Sequence, residues 1–553
     1  MESLRCLNDS SDSSPLRWRT VFLLVVVLAM YYWLGTGSAT LFDRDEPRFA
    51  EPAKEMLFAS SWRDWIVPHL NGEMHFHKPP LPYWQMAMSF KLFGIGDFAA
   101  RLFSGLWTAL TAGLFARYLS QRFSKTSTLF AGLALGTSLI AVVEAKLCTA
   151  DATLGFFTLL GVVCLWEIFR GTNLLRYKLI LWLSAGVAIL AKGPAVFLVL
   201  VGLIAVLLVI DKDRRWFLRT GFWWGVPLSL AIGLPWYLLA NHLSGGALVE
   251  RFVGYDLIRR VKMPVEGHRG FPGFYVLTSL LDAWPWSVFL VPVVVFAWQN
   301  RKDRDIKFLF AWLLGPTLIL ECMATKMVHY WLVILPAYIA LIALMLDRWL
   351  AEPDASSWLR YRKPVSISLA VVWLLIAVGG AVASFIYVGF VWQIIVLSAV
   401  LILAGVLVLW ASRRSEPVTF FWMTALSAVL FGSTISAFLL PYFERYKIGN
   451  QVALAMQSLG DPDSHYALVR WQEETTLYYL NPGNRPICIG GAKDFLNFYS
   501  QPNTVIGIED REFAAVQESL PADLKSSLKF SSVTGYNYTR GFKPKTIYMI
   551  RSK

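Results

Sequence analysis

Apolar runs long enough to cross a bilayer recur along most of this chain, and they restrict its fold more than any other feature. Crossing the hydrocarbon layer takes about 20 mainly apolar residues in a helix. Such segments fall near 20–37, 99–118, 127–143, 152–169, 177–192, 194–210, 220–240, 274–298, 306–321, 329–346, 365–386, 390–411 and 417–440. The fold class expected from them is an all-α polytopic membrane protein with about 13 transmembrane helices. Ala191-Lys192-Gly193-Pro194 is read as a break between two spans, because Gly-Pro is a strong turn signal. Residues 81–94 are apolar but short, which suggests a helix lying in the interface. Composition supports this class. Charged residues make up 16% of the 553, against about 25% in a soluble domain. That deficit argues against a soluble enzyme and against a disordered or collagen-like chain. The 24 Trp and 21 Tyr suit membrane interfaces, where amphipathic rings collect. The five cysteines show no CxxC or Cys/His zinc spacing, and Cys6 and Cys488 each stand alone in polar stretches.

The net charge of +13 would raise the question of nucleic acid in a soluble protein. In a membrane protein, Lys and Arg near span ends set orientation. With Arg5, Arg17 and Arg19 inside, every second connection is cationic: Arg117/Arg122/Lys125, Arg170/Arg176/Lys178, Lys212/Arg214/Arg215/Arg219, Arg301/Lys302/Arg304/Lys307, Arg348/Arg360/Arg362/Lys363 and Arg413/Arg414. The basic excess is therefore read as largely topogenic, and no nucleic-acid partner is expected. An odd number of spans leaves the C-terminus outside. Gly37-Ser38-Ala39 resembles a signal-peptide cleavage site, but the apolar stretch before it is long for a signal core, so an anchor is expected. The tail from 441 to 553 is polar, with short apolar runs at 466–469, 504–508 and 546–550 and a helical candidate at 513–520. That alternation suggests a small α/β domain. The expected organisation is a membrane domain, 1–440, with long outside loops 38–98 and 241–273, followed by an outside domain, 441–553.

Inside loops are short and basic, whereas outside loops mix acids, cations, His, Tyr and Pro. Ionisable groups at a membrane boundary are costly unless paired or functional, so the outside charge is the candidate site. Asp45 precedes Glu46-Pro47, a helix-start signal, and is expected to cap that helix, with Arg48 one turn away able to pair with it. The plain alternative is a capped helix with a surface ion pair. Lys78 stands before a diproline, which favours extended backbone. It could snorkel to headgroups or grip a phosphate. His75 and His77 alternate as on a strand and could help hold a metal together with Asp45 and Asp151. Glu144, Lys146 and Asp151 bracket the start of the fourth span, Lys192 sits at the next outside turn, and Lys326, His329 and Tyr330 precede the tenth span. Loop 241–273 adds Glu250, Arg251, Arg259, Arg260, Lys262, Glu266, His268 and Arg269. Convergence of these helix ends on one membrane face suggests a polar cavity.

The ordered run Asp45-Glu46-Pro47-Arg48-Phe49-Ala50, Glu55-Met56, Asp64-Trp65-Ile66-Val67-Pro68 and Lys78-Pro79-Pro80-Leu81-Pro82-Tyr83-Trp84 resembles the bacterial aminoarabinose transferase family. These are GT-C glycosyltransferases related to protein O-mannosyltransferases. The likeness continues through Thr149-Ala150-Asp151, Leu190-Ala191-Lys192-Gly193-Pro194, Glu266-Gly267-His268 and Thr325-Lys326, then His329-Tyr330 and Leu335-Pro336. It implies thirteen spans, interfacial helices in the first outside loop and a periplasmic C-terminal α/β domain. It also implies a bacterial inner-membrane enzyme, with its N-terminus cytoplasmic. Such an enzyme takes 4-amino-4-deoxy-L-arabinose from undecaprenyl phosphate and passes it to a lipid A phosphate with inversion. Lipopolysaccharide is then the acceptor and the bilayer a partner. By the same resemblance Asp45 and Asp151 are the acidic pair, and Arg48, Lys78, Lys192 and Tyr330 hold donor or acceptor phosphate. Glu46, His268, Arg269, Lys326 and His329 are further candidates. No cofactor is expected to be required, and activity is expected to survive chelation, although a divalent metal stays open. Two features depart from the family pattern: Ser60-Ser61-Trp62-Arg63-Asp64-Trp65 is longer than the usual turn, and His77 stands where Glu is common. They keep open transfer of another sugar, such as galacturonic acid or a hexose, to lipopolysaccharide core, another glycan or protein. A lipid-sugar transporter is the reading from another class. Transporters usually place their charges near mid-membrane in repeated halves, and no repeat is found here.

Overall fold

The computed structural model describes residues 14–259, 262–264, 267–352, 356–471, 473–480, 486–489, 494–520, 528–537 and 543–552. Of the residues named above, Arg5, Cys6, Arg260 and Glu266 lie outside this set. The chain is mostly helical and divides into two compact units, Met1–Thr36 with Arg101–Leu439, and Gly37–Ala100 with Leu440–Lys553. The first outside loop therefore belongs to the same unit as the C-terminal tail.

In the first unit, helices occupy all of the expected apolar segments. Among the described residues six helices are long and apolar enough to cross a membrane, or up to eight if each bent pair counts as one span. These make the chain a multi-pass membrane protein, while the figure of 13 spans stays an expectation. Two segments read as single spans are not straight. Lys125–Thr137 and Leu139–Ala145 meet at 60°, where Ser138 has an extended ψ of 140°. Phe274–Asp282 and Trp286–Gln299 meet at 116°. Pro285, at that second break, has no N–H to give to a helix. The break expected at Lys192-Gly193-Pro194 is present: one helix runs Leu175–Lys192, and the next runs Ala195–Ile210.

The core of this unit is rich in large rings. Trp166, Trp216, Trp286, Trp312, Trp358 and Trp373 are fully buried, and Trp166 stacks on Phe308 at 5.2 Å. Small residues bring backbones together elsewhere. Helix 195–210 crosses helix 304–322 at Gly202 and Gly315, where a Cβ on Gly202 would lie 2.6 Å from the Gly315 carbonyl carbon. Lipid-embedded helices commonly pack this way, because apolar side chains gain little by leaving lipid for one another.

The second unit carries a five-stranded mixed sheet in the order 487–489, 465–469, 504–509, 544–551, 531–536. The first three strands are parallel, with Ala467 opposite Ile506, and the last two run antiparallel to their neighbours. Strand 504–509 is buried throughout because both faces are covered. Tyr466, Leu468, Val505, Ile547 and Met549 pack with Ile448, Val452 and Met456 of helix Ile448–Leu459. Ala467, Val469, Ile506, Ile508 and Ile550 pack with Phe495, Val516 and Leu520. The period-2 alternation in the tail sequence is thus a division between two cores.

The first-loop part of this unit opens with helix Pro47–Leu57. A two-residue turn at Asn71 and Gly72, with φ of 53° and 77°, follows and joins short paired strands at 69–70 and 73–74. Both residues take the left-handed values that such a turn needs. Helix Leu81–Phe93 has 13 residues, a length of about 20 Å and too short to span.

Candidate functional site

Within the first unit the geometry centres on Lys192. It is the last residue of its helix, and Gly193 turns the chain with φ of 68° and ψ of −145°. A Cβ at 193 would strike the Phe252 ring at 2.8 Å, so the turn that delivers Lys192 needs glycine. Lys192 Nζ donates to Asp151 Oδ1 at 2.5 Å and lies 5.0 Å from the Tyr330 ring centroid. Asp151 begins helix Asp151–Arg170, where the positive end of the helix dipole favours a carboxylate. The Asp151 amide donates to the Thr149 hydroxyl at 3.4 Å, and that hydroxyl donates to Glu144 at 2.7 Å. Tyr330 sits in the 3-10 turn Val328–Val333, edge-on to His329 at 5.0 Å. Glu144 and Asp151 are 3% and 7% exposed, so two acids and a cation share a nearly dry environment. Fixed charges interact more strongly there than in water.

The neighbouring candidates have a different setting. Lys326 is buried in an ion pair with Glu321 and also reaches the Phe271 carbonyl at 3.4 Å. Glu321 in turn accepts from the amides of Tyr275 at 2.7 Å and Gly273 at 3.3 Å. His268 and Arg269 are exposed. Their backbone lies beside 325–326, through an isolated antiparallel bridge between Arg269 and Thr325 and the Lys326 amide to the His268 carbonyl at 3.2 Å. Lys146, just past the bent helix pair, donates to the carbonyls of Tyr31, Tyr32 and Leu34 at 3.2, 2.8 and 2.9 Å. Burial pulls its pKa down to about 8, with Arg101 adding to the effect.

Within the second unit the centre is Arg48. The expectation that Asp45 caps the following helix is corrected: the N-cap is Glu46, with no side-chain cap, and the Asp45 amide donates to Asp43 O at 2.7 Å. The tight turn takes the cap one residue further along. The Glu46 carboxylate is fully buried and accepts from the Phe42 amide at 2.8 Å, which braces the turn that carries Asp45. Arg48 Nε donates to Glu474 at 3.1 Å. Burial pushes the Asp43 carboxyl up to about 6, against the pull of the Thr475 hydroxyl and Lys447. Lys78 is half-buried, three residues before helix 81–93, and donates to the His77 carbonyl at 3.2 Å. His75 and His77 are 5.8 Å apart, with Phe49 and Tyr83 packed around them. Among the described residues no three His, Cys, Asp or Glu are grouped so as to hold a metal ion, and Asp45, Asp151, His75 and His77 form no such group.

The sequence reading brought together Lys192, Asp151 and Tyr330. It did not assign roles to Glu321 or Glu474. Glu321 ends a helix that reads as a span, and Glu474 lies in a polar tail where one acid resembles another.

The fold has a counterpart among solved structures. Over 96% of this chain and 97% of the other, it superposes on the crystal structure of ArnT from Cupriavidus metallidurans bound to undecaprenyl phosphate, with a TM-score of 0.74 at 19% identity. The apo crystal structure of that protein gives a TM-score of 0.73. Residues 77–238 match the dolichyl-phosphate-mannose-protein mannosyltransferase family model. In sequence the chain is similar to the undecaprenyl phosphate-alpha-4-amino-4-deoxy-L-arabinose arabinosyl transferase of Pseudomonas aeruginosa PAO1. That match is 30% identical over 339 residues, 60% of this chain and 59% of the relative. Transferase 2 of the same name from Pseudomonas fluorescens is 29% identical over 61% of this chain and 57% of its own length. These matches span less than two thirds of the relatives' length. The resemblance expected from the motifs is borne out.

Proposed function

We propose that the chain is a glycosyltransferase moving 4-amino-4-deoxy-L-arabinose from undecaprenyl phosphate to a lipid A phosphate, at the periplasmic face and with inversion. The observation that carries this reading is the grouping of half-buried Lys192 and Tyr330 with buried Asp151, at motif positions far apart in the sequence. A polyprenyl phosphate gains charge as its glycosidic bond breaks. Fixed cations in a water-poor environment stabilise that charge without reorganising. Lysine supplies a point charge and arginine a fork that matches two phosphate oxygens. Lys192, with Tyr330 beside it, and in the second unit Arg48 and Lys78, are the phosphate-handling groups of this proposal. A lipid A phosphate is already an anion and needs no strong base, so Asp45 positions the sugar amine or stabilises an oxocarbenium-like centre. With a hydroxyl acceptor Asp45 would be the general base. The alternation of cationic connections supports, for this proposal, an N-terminus in the cytoplasm of a bacterial inner membrane and a tail in the periplasm.

The test is reconstitution of the full chain with defined undecaprenyl-phosphate sugars and lipid A, followed by mass spectrometry. Lipid A should gain the mass of one aminoarabinose. Transfer of galacturonic acid or a hexose instead would move the substrate, as the departure at His77 allows. No transfer from any of these donors would sink the glycosyltransferase reading.

A further inference from the structure

The short helix Glu474–Tyr479 of the tail grips the first loop along its whole length. Glu474 takes the Arg48 guanidinium, and Thr475 donates to Asp43 at 3.0 Å. The carbonyls of Leu477 and Tyr478 accept from Lys54 at 3.2 and 2.7 Å. Lys54 is buried and also pairs with Glu51 at 2.7 Å. The Tyr479 hydroxyl accepts from the Leu41 amide at 2.7 Å and donates to Asp97. The clamp is itself anchored: Thr476 donates to the Gly449 carbonyl at 3.1 Å and accepts from Trp471 at 2.9 Å. Five of its six residues therefore hold segment 41–54 or Asp97.

The bond to Glu474 runs through Arg48 Nε. A carboxylate held at Nε restrains rotation of the guanidinium about its side chain. Partners behind a binding group often set its orientation and change affinity without touching the ligand. We infer that Glu474 is a positioning residue, which holds the Arg48 guanidinium in the orientation that meets the donor phosphate. This inference rests on the reading of Arg48 as a phosphate-binding residue and extends it to a residue in the tail.

The experiment measures binding of undecaprenyl phosphate to the full chain in detergent, with undecaprenol as the uncharged control. It uses wild type, Glu474→Gln, Arg48→Gln, the double variant and Thr475→Val. Glu474→Gln should weaken undecaprenyl phosphate binding about 10-fold or more and leave undecaprenol unchanged. The double variant should bind no more weakly than Arg48→Gln alone. Thr475→Val, which loosens the same clamp without touching Arg48, should lower thermal stability and leave affinity unchanged. If wild type does not distinguish undecaprenyl phosphate from undecaprenol, the functional reading falls and this inference with it. If wild type distinguishes them, three results overturn the inference alone: unchanged affinity in Glu474→Gln, an equal further loss in the Arg48→Gln background, or an equal loss in Thr475→Val.

Discussion

Lys192 and Arg48 are both cations at ionic contacts, but they are held in different ways. Lys192 stands at the end of an apolar helix whose packing against its neighbours fixes where the charge can be. Arg48 stands on a helix of mixed polarity and is held by Glu474 of the tail; the tail also accepts from Lys54 of the same helix through the Leu477 and Tyr478 carbonyls. In the first unit the apolar scaffold dictates the position of the charge, so the ion pair is what makes that position tolerable. In the second unit polar contacts dictate the position, so it responds to whatever alters them.

The largest effect expected on that contrast is from Lys192→Ala. It leaves Asp151 buried without its cation, which should cost about 3–5 kcal/mol of stability and abolish transfer. Adding Asp151→Ala should recover most of the stability and none of the activity, by thermal unfolding in detergent and the reconstituted assay. A double variant as unstable as the single would break the idea that the pair neutralises an imposed burial. Next is Asp45→Asn in the second unit, expected to reduce turnover by at least about 100-fold while the purified protein stays folded and inserted. Wild-type-like turnover would remove Asp45 from the chemistry. Third, Gly202→Val puts a side chain against the Gly315 backbone and should destabilise the first unit by about 1–3 kcal/mol, as read by a lower melting temperature. An unchanged melting temperature would mean that the two helices do not need close approach.

The smallest effect is a pH dependence confined to the second unit. The folded Asp43 carboxyl titrates at about 6, above its unfolded value of 3.8, because burial disfavours its charge. The stability linked to it is fully present below about pH 4. It is lost as pH rises through the folded value near 6. Asp43→Asn should flatten that part of the stability profile, followed by unfolding of the full chain between pH 4 and 8. A profile identical to wild type would show that Asp43 is not the source.

The sequence reveals the two regions unequally. Helices of the first unit are legible because each apolar run specifies its own local structure, and the Gly193 turn is legible because few residues can make it. The bent segments at Ser138 and Pro285 were hidden because hydropathy averages over about 20 residues and carries no direction. In the second unit, strands 465–469, 504–509 and 544–551 stand out by composition, and Asp45, Arg48 and Lys78 by motif. The grouping of 37–100 with 440–553 was not legible. It depends on pairs such as Arg48 with Glu474, 426 positions apart, and on carbonyls such as those receiving Lys54, which no side-chain pattern advertises. The Asp45 cap failed for a related reason. A helix-start signal gives a boundary good to a residue or two, and here Glu46 turned inward to the Phe42 amide.

The 426-residue separation between Arg48 and Glu474 also has a consequence in time. At roughly 5–20 residues per second, a ribosome makes the loop some 20–90 seconds before the helix that grips it. Through that interval the contacts of Asp43, Arg48 and Lys54 with residues 474–478 are not yet made. A chain stopped between residues 447 and 473 would carry its apolar helices and none of the clamp. The hold of the tail on the first loop is thus completed only when synthesis is almost finished.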